Sequence, residues 1–177
     1  MFYEIIDMEV NLKERIDYVS GVFIRDVIGN SLGSFTVDYS NVNVNRAGNY
    51  KAYYTFTAID DEDVKTYYVG RNIIVEPKTT FEDGATYSGS KVVDVEGGSV
   101  TINGQAYSYG DIYNTPGASK MVITGENGYS KTINFTIELT VDGVEKDTTY
   151  YTPVIPTISG GEITLDGQRE NAYGDGK

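Results

Sequence analysis

Strict alternation of apolar and polar residues marks two long segments of the chain. In Thr132–Val141 every second residue is apolar, and Tyr50–Ala58 alternates in the same way. Because successive side chains of a β-strand point to opposite faces, this pattern predicts strands with one buried and one solvated face. The predicted buried residues are Ile133, Phe135, Ile137, Leu139 and Val141 in the former segment, and Tyr50, Ala52, Tyr54, Phe56 and Ala58 in the latter.

Asn-Gly pairs separate several of the apolar segments. Asn103-Gly104 lies between VTI and QAYSY, and Asn127-Gly128 precedes the long alternating segment. A two-residue type I′ turn needs positive φ at both central positions, which asparagine and glycine adopt at low cost. We therefore predict a β-hairpin at each pair.

Helix signals are nearly absent. Asn11–Val19 comes nearest to helical periodicity, but it is short, lacks a capping residue and runs directly into Ser20-Gly21. We interpret it as a strand end followed by a turn. The 16 tyrosines and the abundant threonine and valine also favour strands, so the sequence predicts an all-β protein.

Two blocks of sequence recur at one spacing. Val144–Tyr150 repeats Phe81–Tyr87, and Gly160–Gln168 repeats Gly97–Gln105, each 63 residues further along the chain. A constant spacing over separate blocks indicates tandem modules. We predict a first module at 1–76, a second at 78–141 and an incomplete third at 144–177 that repeats 81–111, and we expect the natural protein to be longer.

These modules resemble a known family. The stretch Val10–Val75, with VDYSNVNVNRAGNYKAYYTFTAID, is similar to the bacterial immunoglobulin-like modules found in tandem on Gram-positive surface adhesins. Residues 80–140 resemble a second module type that is found in the same adhesins. The matching motifs are DGATY, GGSVTINGQAY and TGENGYSKTINFTI. The resemblance implies tandem immunoglobulin-like β-sandwiches with Greek-key topology, a fold that also occurs in phage virion proteins.

The resemblance also implies a structural role for one tyrosine. Tyr50, after Ala47-Gly48, is placed to form a tyrosine corner, in which a phenol hydrogen-bonds to backbone at the end of a sandwich. The second module departs from the family pattern because Ser119 replaces the tyrosine expected after Pro116-Gly117.

Composition narrows the chemistry that the chain can perform. The chain has no cysteine and no histidine, which removes thiolate chemistry, imidazole bases and nearly all zinc sites. Its net charge of -12 would repel nucleic acid and anionic membranes, and no apolar stretch is long enough to insert into a membrane. After Met1 the chain lacks a basic and then apolar leader, so we expect a signal either to have been removed or not to be needed. No catalytic residues and no cofactor are predicted.

A run of four acids provides the only candidate metal site. Asp60, Asp61, Glu62 and Asp63 supply carboxylate oxygens, which calcium prefers. Adjacent strand residues point in opposite directions, however, and the spacing is not that of an EF-hand. The alternative interpretation is a solvated acidic hairpin tip.

Aromatic and lysine residues provide the other candidates. Tyr107, Tyr109 and Tyr113 follow one hairpin and could bind a sugar or a protein, or could instead fill packing positions. Modules of this family sometimes contain a lysine-asparagine amide cross-link. Lys51 and Lys120 fall on the polar faces of their predicted strands, so we expect them to face solvent and to form no such bond.

The sequence therefore predicts a non-catalytic extracellular stalk or adhesion module on a bacterial surface, where it spaces or presents a binding region. Its expected partners are neighbouring modules and a cell-surface glycan or protein receptor. Two alternatives remain open: a bacteriophage virion component, such as a head fibre or tail decoration, and a glycan-binding accessory domain of a secreted enzyme.

Overall fold

Every regular element that the structure describes is a β-strand. The computed structural model describes residues 2–25, 34–60, 63–138, 140–142 and 157–159. Within these ranges no helix is long and apolar enough to cross a membrane. The all-β prediction is confirmed for this part of the chain, and Asn11–Val19 contains a strand end and a turn, as the sequence predicted.

The strands are numbered in chain order. The first six are β1 (Phe2–Ile5), β2 (Met8–Asn11), β3 (Val22–Arg25), β4 (Thr36–Asp38), β5 (Gly48–Asp60) and β6 (Asp63–Glu76). The next nine are β7 (Thr86–Ser88), β8 (Lys91–Val92), β9 (Ser99–Ile102), β10 (Gln105–Tyr107), β11 (Ile112–Tyr113), β12 (Gly117–Thr124), β13 (Ser130–Glu138), β14 (Thr140–Asp142) and β15 (Thr157–Ser159).

The two larger sheets share one feature of strand pairing. One has the order β2-β6-β5-β4, and the other has the order β10-β9-β12-β13-β7. In each sheet the strand that comes first in the sequence pairs in parallel with the strand that comes last, β2 with β6 and β7 with β13. The other described strands form the two-stranded sheets β1-β3, β8-β11 and β14-β15, so the architecture is β-sandwich-like.

The chain divides into two compact units. The first contains Met1–Thr79, Val95–Ser99 and Ile123–Lys131, and the second contains the remaining three segments. The sequence places Val95–Ser99 and Ile123–Lys131 in the second predicted module, whereas the structure packs them within the first unit. We call these two pieces the docked segments.

The core of the first unit lies on the predicted face of the β5-β6 hairpin. Its buried residues include all five predicted residues of Tyr50–Ala58, joined by Val10, Ile73 and Val75. Arg71 is also buried there, at 2 % exposure. Its guanidinium donates to the carbonyls of Ile6 (2.6 Å) and Tyr18 (3.4 Å) and to the hydroxyl of Tyr54 (3.1 Å). These bonds offset the cost of placing a cation among apolar side chains.

The core of the second unit is aromatic at its centre. Phe135 contacts Phe81 at 4.9 Å and Tyr113 at 5.7 Å between ring centroids, both edge to face. Ile133 and Ile137 on the same face of β13 are also buried, as the alternation predicted. The side chains of the other two predicted residues, Leu139 and Val141, lie outside the described residues.

Both Asn-Gly hairpins are confirmed. The φ angles are 50° and 83° at Asn103-Gly104, between β9 and β10, and 52° and 75° at Asn127-Gly128, between β12 and β13. Positive φ at both central positions is what a type I′ turn requires.

Backbone hydrogen bonds hold the docked segments in the first unit. The N–H of Ala47 donates to the carbonyl of Gly97 (2.9 Å), and the N–H of Glu126 donates to the carbonyl of Ala47 (2.8 Å). Lys78 and Glu96 exchange a reciprocal pair of 3.2 and 2.9 Å. Such bonds require close backbone approach, and a Cβ atom at Gly125 would overlap the carbonyl of Ala47. Glycine at position 125 therefore makes this contact possible.

Ion pairs add to the same contact. Lys13 and Lys78 lie 2.9 and 3.5 Å from the carboxylate of Glu96. Glu76 receives the ammonium of Lys131 at 2.6 Å. The first two pairs are exposed and contribute little, whereas Glu76 is mostly buried and its pair is screened less by solvent.

Candidate functional site

The acidic run lies at the tip of the β5-β6 hairpin. Asp60 pairs with Asp63 in the backbone register, and the side chain of Asp63 is exposed. Asp61 and Glu62 lie outside the described residues. The described part of the chain contains no cluster of three or more acids that could hold a metal ion, and the calcium site stays a prediction.

The three candidate tyrosines do not share one surface. Tyr109 is 67 % exposed, whereas Tyr113 is 2 % exposed and packs against Tyr107 with ring centroids 5.5 Å apart. The hydroxyl of Tyr113 hydrogen-bonds to Ser119 at 2.7 Å and accepts from Asn103 at 3.1 Å. Tyr113 is thus a core residue, which corrects its assignment to a binding group: a ligand outside the unit could reach Tyr109 but not Tyr113.

Tyr50 makes the kind of bond that a tyrosine corner requires. Its hydroxyl donates to the carbonyl of Arg46, four residues upstream, at 3.0 Å. Burial raises the pKa of this phenol, and the nearby charge of Glu126 acts in the same direction. In the second unit, the hydroxyl of Tyr113 bonds to Ser119, which follows Gly117 by two positions as Tyr50 follows Gly48.

The lysines considered for a cross-link are exposed. Lys51 and Lys120 both face solvent, as predicted. Asn134 is exposed as well, and its backbone and side-chain N–H groups donate to the carboxylate of Asp83 at 2.7 and 3.2 Å. All three side chains thus lie on solvated faces of their strands.

A groove lined mostly by polar residues crosses the outer face of the β5-β6 hairpin, and we call it the polar groove. It encloses about 600 Å³ and is lined by Asp7, Asn41, Asn49, Tyr50, Lys51, Tyr53, Asn72, Ile73, Ile74 and Asn127, all in the first unit. Asn49, Lys51 and Tyr53 point outward because they alternate with the buried residues of β5. Strand β6 supplies Asn72, Ile73 and Ile74. Loops supply the other residues: Asp7 precedes β2, Asn41 follows β4, and Asn127 lies between β12 and β13.

Hydrogen bonds fix the charged side of the groove. The two carboxylate oxygens of Asp7 accept from the backbone N–H (2.9 Å) and the side-chain amide (2.8 Å) of Asn72. These bonds lower the pKa of Asp7, and the positive charges of Arg71 and Lys51 lower it further. Asp7 is therefore a fixed anion at neutral pH.

Comparison with known proteins finds no family model that matches the chain and no curated protein with significant similarity to it.

Sequence reasoning missed the groove. The alternation of β5 already places Asn49, Lys51 and Tyr53 on one solvated face, and that signal could have nominated them. Asp7 and Asn41 gave no such signal, because only the pairing of β2 with β6 and of β4 with β5 brings their loops to this face.

Proposed function

We propose that this chain is a non-catalytic stalk or adhesion segment, built from tandem immunoglobulin-like β-sandwiches, that spaces or presents a binding region on a bacterial surface. The observation that carries the proposal is the parallel pairing of the first and last strands in both larger sheets. β2 pairs with β6 over four residues, from Met8 opposite Ile73 to Asn11 opposite Glu76, and β7 pairs with β13 over three.

A parallel pairing of its first and last strands makes a sheet resist tension along the chain. When two neighbouring strands are parallel, the incoming end of one and the outgoing end of the other lie at opposite ends of the ladder. Tension between those ends shears all the bonds of the ladder together, whereas tension on an antiparallel pair can open its bonds one by one. A stalk that carries load between a cell and its target needs the parallel arrangement, in which all the bonds of the ladder share the load.

Similar features in the two predicted modules support the tandem arrangement. Gly48 and Gly117 begin the long strands β5 and β12, and Lys51 and Lys120 are exposed at the equivalent place three residues later. In the sheets that contain these strands, the first strand also pairs in parallel with the last. The expected partners are neighbouring modules and a surface glycan or protein receptor, and the expected location is extracellular.

The virion and the secreted-enzyme alternatives use the same architecture. They differ from the stalk in genetic context: capsid or tail genes nearby would favour the virion, and a hydrolase domain in the same reading frame would favour the accessory domain.

Force spectroscopy on the full chain, held at its two ends, tests the load-bearing role. Proline removes a backbone N–H, and the N–H groups of adjacent strand residues point to opposite sides, so one of Met8→Pro and Glu9→Pro must remove an N–H that faces β6. We expect at least one of the two to lower the force at which the first unit unfolds.

Glu4→Pro is the matched control, because Glu4 lies in β1, outside the parallel pair, and is exposed like Glu9. It should leave the unfolding force of the first unit close to that of the wild type. If neither β2 variant unfolds at a lower force than Glu4→Pro, the parallel pair does not bear the load and the proposal is wrong.

A further inference from the structure

The polar groove has the chemistry of a sugar site, and this inference rests on the proposed surface role, whose glycan or protein receptor it narrows to one class of ligand. Four asparagine side chains line it: Asn41, Asn49, Asn72 and Asn127. Each amide presents a carbonyl acceptor and an NH₂ donor, and a sugar hydroxyl likewise both donates and accepts. We propose that the polar groove binds a neutral oligosaccharide.

The charges of the groove favour a neutral ligand. Among the described residues that line it, Asp7 and Lys51 are the ionised ones, one of each sign. An anionic ligand would therefore meet no excess of positive charge in the groove, and it would be repelled by a chain whose net charge is -12. A cation would meet a carboxylate whose two oxygens already accept hydrogen bonds from Asn72.

Tyr53 provides an aromatic surface in the groove. It is 45 % exposed and stands opposite Gly70 in the register of β5 and β6. Gly70 carries no side chain, and the stem of Lys51 lies above it, since a Cβ at Gly70 would be 3.3 Å from Lys51 Cδ. On the β6 side, therefore, no side chain of residue 70 covers the ring, and the exposed part of a tyrosine ring can pack against the apolar face of a pyranose.

Hydrogen bonds within the protein hold part of the groove in place. Asp7 holds Asn72 through two hydrogen bonds, and the amide of Asn49 donates to the carbonyl of Asn127 at 3.4 Å. The floor is the β5-β6 hairpin itself. Preordered polar groups reduce the entropy lost on binding, which matters for a flexible and well-hydrated ligand such as a sugar.

Titration of the isotope-labelled full chain, followed by NMR, tests the proposal. The neutral probes are cellotetraose, maltotetraose, xylotetraose and chitotetraose, and tetragalacturonate is the anionic comparison. We expect at least one neutral probe, at millimolar concentration, to shift the amide signals of the groove residues. Tyr53→Thr should weaken that binding about tenfold, because it removes the aromatic surface.

Tyr68→Thr is the matched control, since Tyr68 is an exposed tyrosine, at 76 %, on the same hairpin but outside the groove. It should change the affinity less than twofold. If Tyr53→Thr does not fold, Asn41→Ala in the exposed loop after β4 replaces it, with a several-fold loss expected. The proposal is overturned if no neutral probe binds, if tetragalacturonate binds more tightly than every neutral probe, or if the Tyr53 and Tyr68 variants behave alike.

Discussion

The phenol of Tyr129 donates a 2.9 Å hydrogen bond to Glu76, a residue 53 positions earlier in the chain. Glu76 ends β6, the closing strand of the first large sheet, and Tyr129 belongs to a docked segment. Burial raises the pKa of Tyr129, and the hydrogen bond and charge of Glu76 raise it further. Lys131 shares the same carboxylate oxygen, so three side chains fasten the docked segment to the end of β6.

Tyr129→Phe keeps the buried ring and deletes only this hydrogen bond. A bond to a charged acceptor contributes about 1.5–3 kcal/mol, and Lys131 still neutralises Glu76, so we expect a loss of about 1–2 kcal/mol in the free energy of unfolding. Urea denaturation measures it. Tyr109→Phe, which removes an exposed hydroxyl, should change stability by less than about 0.5 kcal/mol. Equal effects of the two substitutions would show that the bond to Glu76 contributes nothing.

Gly125→Ala should disrupt the close backbone contact in the first unit. The added methyl group would overlap the carbonyl of Ala47, so backbone atoms must move. We expect a loss of about 2–3 kcal/mol, measured by thermal or urea denaturation.

Gly70→Ala serves as the comparison in the same unit. There the new methyl group would meet only the flexible side chain of Lys51, at 3.3 Å. It should alter stability by no more than about 1 kcal/mol. A Gly125 variant as stable as the Gly70 variant would mean that the close approach is not needed.

Arg71→Lys tests the buried guanidinium. Lysine cannot reproduce the fork that donates to Ile6, Tyr18 and Tyr54, so some of these acceptors would be left unpaired in the core. We expect a loss of about 2–4 kcal/mol. Arg25→Lys, at an exposed position of β3, should be neutral within about 0.5 kcal/mol. An Arg71 variant as stable as the wild type would contradict this role.

Asp7 should contribute to acid sensitivity. Its pKa is lowered in the folded protein from an ordinary value of 3.8, so the unfolded chain binds more protons between the two values. The stabilisation is therefore complete above about pH 4 and is lost as the pH falls through the folded pKa. NMR titration of the carboxyl carbon should give a value below 3.8 in the wild type.

Asn72→Ala removes the side-chain donor that contributes most to this shift, and it should move the pKa of Asp7 part of the way back towards 3.8. Asn41 lies in the same groove but makes no bond to Asp7 among those described. Asn41→Ala should therefore leave the pKa of Asp7 unchanged. If the Asn72 variant titrates like the wild type, the assigned cause is wrong.

Local patterns predicted the strands and turns well. Alternation identified the buried face of Tyr50–Ala58, and the two Asn-Gly pairs located their hairpins, because both signals depend on neighbours in the sequence. Burial of Arg71 was not predicted. Its partners Ile6 and Tyr18 lie more than 50 residues away and offer only backbone carbonyls, which have no signature in the sequence.

The docked segments and the loop residues of the polar groove were beyond the same reasoning. Each arises where loops from distant parts of the chain meet, as when Ala47 meets Gly97 and Glu126, and sequence periodicity does not report such meetings. The calcium site and the module boundaries at 1–76, 78–141 and 144–177 stay predictions.

The docked segments are an integral part of the first unit, and hydrogen exchange of the intact chain tests this central claim directly. The amides of Ala47, Asn49 and Glu126, which donate across the contact, should exchange as slowly as that of Ile73 inside the sheet, within a factor of about ten. If these three amides exchange like free loop amides while Ile73 remains protected, the docked segments open independently and the account is contradicted.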